Sequence, residues 1–491
     1  MENKDTFLRK DFVFALIMLI SGFLYCNLIH LDSLGAGVTI FAAIFCLSVF
    51  FYLRAGGIQQ TRRSILCLII VVLSSLVFLL FDNMLIKGLN FLFLTFTVIY
   101  WISLSTGRTL ENKLSAYILG DFFNQVIIIP FSNFACCFSA LKSMTTGNKK
   151  GKSLLAVVVG ILVMIPVLAA VIALLSKADA AFAEVIANLN FNISMEIIIQ
   201  IILGIPVACY LFGLIYGDLF GRNTETVTVA SVDKLSASAR FVPEVTGYTA
   251  LTLLNLVYIA FFLSQLAYLF SAFNNHLPEL MTYAEYARRG FFELCAVAAI
   301  NLIVLTAVYL LIKRGRERVL KIETVVLCLF TLLLIVTAIS KMVMYINCFG
   351  MTPLRIYTTW FMLVLFLIFA VITLRQFKKF NAARTMLAGF VILFLALSYG
   401  NVDGRIAAYN IDRYQSGALK SLDVQALAGL SAAAKPYLYS LYTETTDPKL
   451  KAELCKALSP QAGDSNGESD MNDFRDFNLQ RHLPTYPISL R

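Results

Sequence analysis

Residues 322–344 read IETVVLCLFTLLLIVTAISKMVM, and this stretch decides the fold. Its only charged residues are Glu323 and Lys341. As an α-helix, the stretch is long enough to cross the roughly 30 Å of hydrocarbon in a bilayer. Lipid offers no hydrogen-bond partner to an open backbone, so such a block predicts a membrane-spanning helix.

Similar blocks recur from the N-terminus to residue 400. They cover residues 12–30, 34–53, 64–81, 85–104, 153–175, 197–216, 246–270, 290–312, 322–344, 356–374 and 385–400. The predicted fold class is therefore all-α: a polytopic integral membrane helical bundle of about eleven transmembrane helices, with residues 1–400 as the transmembrane domain.

The composition supports the same class. Hydrophobic residues make up 59% of the chain and charged residues 14%, against about 45–50% and about 25% in soluble domains. The net charge of +10 comes from residues 1–400, which hold thirty Lys/Arg and nineteen Asp/Glu. Because this excess lies in the links between blocks, it indicates membrane topology, and the expected partner is the lipid bilayer and not nucleic acid.

The basic links fall on alternate turns of the predicted bundle. The positive-inside rule places these links in the cytoplasm together with the N-terminus, which gives an N-in, C-out protein. The basic residues that mark this side are Arg54, Arg62, Arg63, Arg108, Lys113, Lys142, Lys149, Lys150, Lys152, Arg222, Lys234, Arg240, Lys313, Arg314, Arg316, Arg318, Lys321, Arg375, Lys378, Lys379 and Arg384.

The segment 114–141 is apolar but is interrupted by Asp121, Asn124, Gln125 and Pro130. These polar residues favour one or two interfacial or re-entrant helices on the cytoplasmic face. The alternative is a twelfth span, which would invert everything after it. The lysines at 149–152 favour the first interpretation.

The composition changes after Tyr399. Residues 401–458 carry apolar residues at helical spacing and predict a small extracytoplasmic helical appendage, whereas the Gly, Ser, Asp and Asn content of 459–491 predicts a disordered tail. Cys348 and Cys455 both fall on the outer side, and a disulfide between them is left open.

The usual catalytic and cofactor motifs are incomplete. Gly147–Ser153 ends like a phosphate loop but has three residues between its glycines where four are needed. The three histidines are isolated, no Gly-x-Ser-x-Gly elbow occurs, and Tyr216-Gly217-Asp218 lacks the second motif of an intramembrane aspartyl protease. We therefore predict no catalytic residue, cofactor or metal, and an enzyme is not the favoured interpretation.

One candidate binding cluster precedes the eighth predicted span. Glu285 stands four residues before Arg289, and Arg289 four before Glu293, so an acid, a base and an acid share one helix face, with Arg288 beside them. Charges at the membrane edge mark either a polar site at the outer mouth or an interfacial helix whose charges pair and snorkel.

Further polar residues fall on the same predicted outer side. Lys341 and Arg355 flank a turn at Gly350 and Pro353, and Asn401 and Asp403 follow the last span. The hypothesis is one extracytoplasmic polar site made of Glu285, Arg288, Arg289, Glu293, Lys341, Arg355, Asn401 and Asp403. For the residues after the last span, the competing interpretation is an ordinary solvated helix.

At these residues the chain resembles a known family. The strings Tyr283–Phe292 (YAEYARRGFF), Gly350–Arg355 (GMTPLR) and Asn401–Arg413, together with Ser176–Phe182, are similar to an uncharacterised family of bacterial multi-pass membrane proteins, a domain of unknown function frequent in Firmicutes. The resemblance implies a bacterial plasma-membrane location and brings no activity, substrate or catalytic residue.

Three functional hypotheses follow. The leading one is a non-enzymatic, transporter-like protein, because polar groups cluster at helix ends and every catalytic constellation is incomplete. The second is a sensory or assembly partner of another envelope protein, and the third is an envelope-lipid enzyme that uses Glu285 or Asp403 as a base. The ligand would accordingly be a small molecule, a lipid or an envelope protein.

The predicted orientation is testable with fusion reporters. A reporter that is active only in the cytoplasm should give signal after Arg384, and one that is active only outside should give signal after Asp403. A cytoplasmic signal at Asp403 would contradict both the C-out topology and the shared outer site.

Overall fold

The computed structural model describes residues 7–111, 114–115, 117–143, 171–172, 174–179, 195–273, 291–313, 317–458 and 473–482. These residues form two compact units. Unit 1 takes the described residues up to 111, those from 117 to 228, and 473–482; unit 2 takes 114–115 and those from 229 to 458. The division near residue 228 was not predicted from the sequence.

The regular secondary structure in the described part of unit 1 is helical. Its elements are α1 (Arg9–Leu28), α2 (Ala36–Ala55), α3 (Arg62–Leu80), α4 (Met84–Thr106), α5 (Ile118–Phe123), a π-helix (Asn124–Ile128), α6 (Ile129–Ser132), α7 (Cys136–Ser143), α8 (Met195–Phe220) and, near the C-terminus, Leu479–His482.

Unit 2 is helical as well. Its elements are α9 (Val229–Ser238), α10 (Glu244–Phe273), α11 (Phe291–Leu311), α12 (Glu317–Phe349), α13 (Pro353–Phe377), α14 (Ala382–Tyr399), α15 (Val402–Gln415), α16 (Val424–Ala428), a 3₁₀ turn (Ala432–Ala434), α17 (Lys435–Glu444) and α18 (Pro448–Leu458).

The prediction of a polytopic helical bundle is confirmed. Within the described ranges, ten helices are long and apolar enough to cross a membrane, and they coincide with ten of the eleven predicted blocks. The remaining block, 153–175, lies almost wholly outside the described residues. The N-in orientation stays a prediction.

Glycines bring α1 and α8 into close contact in unit 1. The helices run antiparallel, since the ring of Phe14 packs against Phe212 while Gly22 faces Gly204. A Cβ on Gly22 would collide with the carbonyl oxygen of Gly204, so only glycine permits this crossing. Small residues bring helix backbones together in the same way in other membrane bundles.

The polar segment 114–141 forms a bent pair of helices. Ile118–Ser132 and Cys136–Ser143 meet at 46°, a geometry shared by a broken span and a re-entrant loop. Pro130 and Asn133 press against Gly213 and Gly217 of α8, where a Cβ would leave too little room. Asp121 is buried while Leu119 is 80% exposed. A segment with its polar residues inside and its large apolar residues outside is suited to contact with lipid. A helix lying at the water interface would expose its polar face instead.

Residues 473–482 fall in the stretch for which the composition predicts a disordered tail, and in the structure these ten residues have defined contacts in unit 1. The N–H groups of Ala36 and Gly37 donate to the carbonyls of Phe477 and Arg475, each at 2.8 Å. Because the first N–H groups of a helix have no partner within it, the returning segment satisfies the start of α2. Such backbone partners leave no trace in composition.

Side chains add to this docking. Asp476 accepts from Ser33 and lies 3.0 Å from His30 Nδ1, and Arg475 Nη1 donates to the carbonyl of Asn27 at 3.0 Å. The hydrogen bond from Arg475 holds the pKa of Asp473 below its ordinary value. The stability that this hydrogen bond contributes is fully present above the ordinary pKa of aspartate. It is lost as the pH falls through the lowered pKa of Asp473.

The appendage in unit 2 consists of α15 to α18. Leu427, Leu438, Leu441 and Leu454 are buried between these short helices. No disulfide joins Cys348 and Cys455.

The α1–α8 crossing gives a stability prediction. Gly22→Ala should lower the free energy of unfolding by about 1–3 kcal/mol, because the added methyl group must push two backbones apart. Gly88→Ala is the matched control, since a Cβ on Gly88 meets nothing within 4 Å. Thermal unfolding of the detergent-solubilised proteins measures both, and equal midpoints for the two variants would contradict the prediction.

Candidate functional site

The structure separates the predicted site residues into two sets. Glu285, Arg288 and Arg289 lie outside the described residues. Glu293, Lys341, Arg355, Asn401 and Asp403 are described, and all five belong to unit 2.

Arg355 folds back onto the end of the preceding helix. Its Nη1 donates to the carbonyl of Phe349 at 3.1 Å and to that of Gly350, and its guanidinium lies 4.2 Å from the ring centroid of Tyr345. Gly350 turns the chain with a φ of +77°, and Thr352 caps α13. The cation thus stabilises the C-terminal carbonyls of α12, as positive charges at helix ends do.

The same turn receives α15. The Asn410 side chain donates to the carbonyl of Met351 at 2.8 Å and accepts from its N–H at 2.6 Å. Tyr409 donates to the side chain of Asn347 at 3.0 Å, and Arg413 to its carbonyl at 2.6 Å. The turn that carries Arg355 and the helix that follows Asn401, both of which the sequence analysis placed in the polar site, are therefore in contact.

Asn401 and Asp403 organise the start of the appendage. Asn401 adopts a φ of +45° where α14 gives way to α15. Asp403 is buried, and its Oδ2 accepts from the N–H of Ser431 at 3.1 Å. Asp403 therefore links the start of α15 to the residue that precedes the 3₁₀ turn.

Glu293 and Lys341 lie on neighbouring helices. Glu293 is exposed in the first turn of α11. It is close enough to Lys341, which is half-buried on α12, to act on its charge. An acid at the start of α11 and a base in the last third of α12 therefore interact electrostatically.

A buried polar contact that the sequence did not predict lies deeper in unit 2. Tyr258 of α10 donates to Asn301 Oδ1 at 2.5 Å, and Asn301 Nδ2 donates to Thr331 Oγ1 of α12 at 2.8 Å. Asn301 is the central residue of α11 and is fully buried. Three helices are therefore joined through one carboxamide at mid-span.

A second contact lies nearer the start of α12. Glu323 accepts from Asn255 Nδ2 at 2.6 Å and from Thr252 Oγ1 at 3.0 Å. The polar ladder is the set Thr252, Asn255, Tyr258, Asn301, Glu323 and Thr331. Its members stand on the faces that α10, α11 and α12 turn toward one another.

The sequence gives only a weak indication of the ladder. Asn255, Asn301 and Thr331 are single polar residues, each inside an apolar run. In a transmembrane helix such a residue marks the face turned to the bundle. What the sequence does not reveal is that the three faces meet.

A double-mutant cycle tests the central contact. Tyr258→Phe and Asn301→Val should each destabilise the protein, and their effects should couple by about 0.6 kcal/mol, the average for interhelical hydrogen bonds in membranes. Tyr309→Phe is the control partner for Asn301→Val. Tyr309 bonds Gln376 at 2.7 Å and lies eight residues beyond Asn301 on α11. That separation is about 12 Å, so its effect should be additive.

Denaturant titration in mixed micelles measures the four stabilities of each cycle. Coupling in the control cycle as large as that in the ladder cycle would contradict the assignment.

Comparison with known proteins gives one match. Residues 68–441, from within α3 to within α17, match the family described as "Domain of unknown function (DUF4153)". No curated protein and no solved structure matches the chain. The expectation of a family of unknown function is confirmed, and since the match covers most of the chain, the protein belongs to the DUF4153 family.

Proposed function

We propose that this multi-pass membrane protein is transporter-like and that a small polar solute or ion moves along the polar ladder of unit 2. The observation that carries the proposal is the hydrogen-bonded set Tyr258, Asn301 and Thr331 at mid-span. Polar groups at this depth are costly, and where they face the bundle interior they commonly mark a pathway.

The spacing of the polar groups supports a pathway across the whole hydrocarbon layer. On α12, Glu323 and Thr331 are separated by about 12 Å along the helix axis, and Thr331 and Lys341 by about 15 Å. The total of about 27 Å approaches the roughly 30 Å thickness of the hydrocarbon. A solute leaving one polar group would therefore find the next within a few helical turns.

The chemistry of the ladder restricts what could move. Glu323 is the charged group at one end of the ladder, and Lys341 and Glu293 lie beyond its other end, while hydroxyl and carboxamide groups stand between these charges. Neutral groups can exchange hydrogen bonds with a polar solute without holding it by charge. This arrangement favours a small hydrophilic species over a lipid.

The proposed membrane is the bacterial plasma membrane, with the N-terminus inside. The resemblance to bacterial multi-pass proteins and the distribution of Lys and Arg among the links support this placement.

Cysteine accessibility tests the pathway. Asn301→Cys, in a variant whose ten native cysteines are replaced, should react with a small charged thiosulfonate. Thiols react as thiolates, so a water-filled path should make the reaction about tenfold faster at position 301 than at a lipid-facing position. Ile303→Cys is the matched control, because Ile303 lies on the same helix and is 67% exposed on its outer face.

Mass spectrometry of the protein in vesicles gives both rates. Equal, negligible reaction at positions 301 and 303 would mean a solid bundle and would overturn the transport proposal.

A further inference from the structure

Unit 1 contains a second buried polar cluster, which is independent of the pathway proposed in unit 2. Asp121, Asn124 and Gln125 follow one another at helical spacing across α5 and the π-helix, so they share a face. Their side chains are 3%, 1% and 2% exposed, while Leu119, Phe123 and Phe131 point outward. The bent segment thus turns its polar face into the bundle.

This face contacts a carboxylate on α8. Gln125 Nε2 donates to Asp218 Oδ1 at 3.0 Å and to Ser103 Oγ at 3.1 Å. Thr106 Oγ1 lies 3.5 Å from Asp218 Oδ2. Asp218 is fully buried, so α4, α8 and the bent segment meet around one acid.

Three buried oxygens of the cluster lack a donor. Within the described part of the chain, no group donates a hydrogen bond to Asp121 Oδ2, Asn124 Oδ1 or Gln125 Oε1. Leaving a buried acceptor unsatisfied is unfavourable, and here three lie on one face beside a carboxylate. The orphaned atoms are all oxygens, and a single cation could satisfy several of them at once, since carboxylate and amide oxygens coordinate hard cations.

The charge count indicates the valence of that cation. In the ionised form in which they would hold a cation, Asp121 and Asp218 contribute two negative charges, and Arg108 contributes one positive charge. The guanidinium donates through Nε to the main-chain carbonyl of Asp218 at 3.0 Å, and Asp121 Oδ1 already accepts from the N–H of Leu110 at 2.7 Å. One negative charge remains for a bound ion to neutralise.

The backbone is built to hold this arrangement. The π-helix at Asn124–Ile128 widens the turn that carries Asn124 and Gln125, and such turns occur frequently at functional sites. Asn124 Nδ2 donates to the carbonyl of Thr224 at 3.2 Å, and Asn133 Nδ2 to that of Arg222 at 3.2 Å. These bonds fix the amide groups, and the Asn124 oxygen is buried without a donor.

We propose that unit 1 binds one monovalent alkali cation of the sodium class between Asp218 and the oxygens of Asp121, Asn124 and Gln125. Carboxylate and amide oxygens are hard donors that suit hard cations, whereas the sulfur and imidazole ligands that select zinc or copper are not part of this set. The single residual charge favours sodium over calcium, which would leave the buried site positive.

Sodium-dependent stability of the full-length protein tests the site. In detergent, the thermal midpoint should rise saturably as sodium chloride replaces choline chloride at constant ionic strength, by roughly 5 °C at one hundred times the dissociation constant. Asp218→Asn and Asn124→Leu should each abolish the sodium response. Asp11→Asn is the matched control and should keep it, because Asp11 is equally buried in unit 1 but accepts from Tyr52 and from the N–H of Leu8, each at 2.8 Å.

If Asp218→Asn folds poorly, the proposal can still be tested by measuring the binding of radioactive sodium directly. Wild-type protein and Asp11→Asn should bind it, and Asn124→Leu should not. Equal stabilisation by choline and sodium, stabilisation by calcium alone, or unchanged sodium binding by Asn124→Leu would each overturn the proposal. None of these outcomes affects the labelling of position 301. The cation site in unit 1 and the transport pathway in unit 2 can therefore be disproved independently of each other.

Discussion

Hydrocarbon accepts and donates no hydrogen bonds, and the polar groups of the described bundle are arranged under this constraint. It forces the backbone into helices, and it favours two positions for polar side chains. Amide side chains such as that of Asn301 turn toward other helices, whereas hydroxyl groups such as those of Thr95 and Thr306 donate to carbonyls of their own helix. Asn301 illustrates the second effect, because both its amide nitrogen and its carbonyl oxygen are used by side chains of neighbouring helices. The same constraint explains why the segment around Asp121 has its polar face inside and its large apolar residues outside.

The spans could be predicted from the sequence because hydropathy depends only on local composition. The arrangement of side chains could not, since it depends on how each helix is rotated about its axis. Asn255 and Asn301 are separated by 46 residues and carry no pattern that links them. Asp218 and Gln125 are likewise distant in the chain, and only packing around Gly213 and Gly217 brings the segments that carry them together.

The predicted outer site shows a different limit of sequence reasoning. Charged residues near helix ends suggested a binding cluster, and Arg355 and Asp403 do lie at helix ends, but each bonds backbone groups that helices leave unsatisfied. Residue type alone does not distinguish a charge that awaits a ligand from one that completes a turn. The helix-end backbone groups that hold residues 473–482 are equally invisible to composition, which is why those residues resembled a disordered tail.

The polar clusters of the two units therefore call for different explanations. At the centre of the ladder in unit 2, the carboxamide of Asn301 has a protein partner for both its oxygen and its nitrogen, so this contact is stable without a ligand and a solute would have to compete for its hydrogen bonds. In unit 1, the amide nitrogens of Asn124 and Gln125 donate to neighbouring groups, while the oxygens of both side chains accept no hydrogen bond. Leaving several buried acceptors around a carboxylate is unfavourable. This cost is relieved when a cation binds, and the fixed amides beside the π-helix hold those oxygens in place for it.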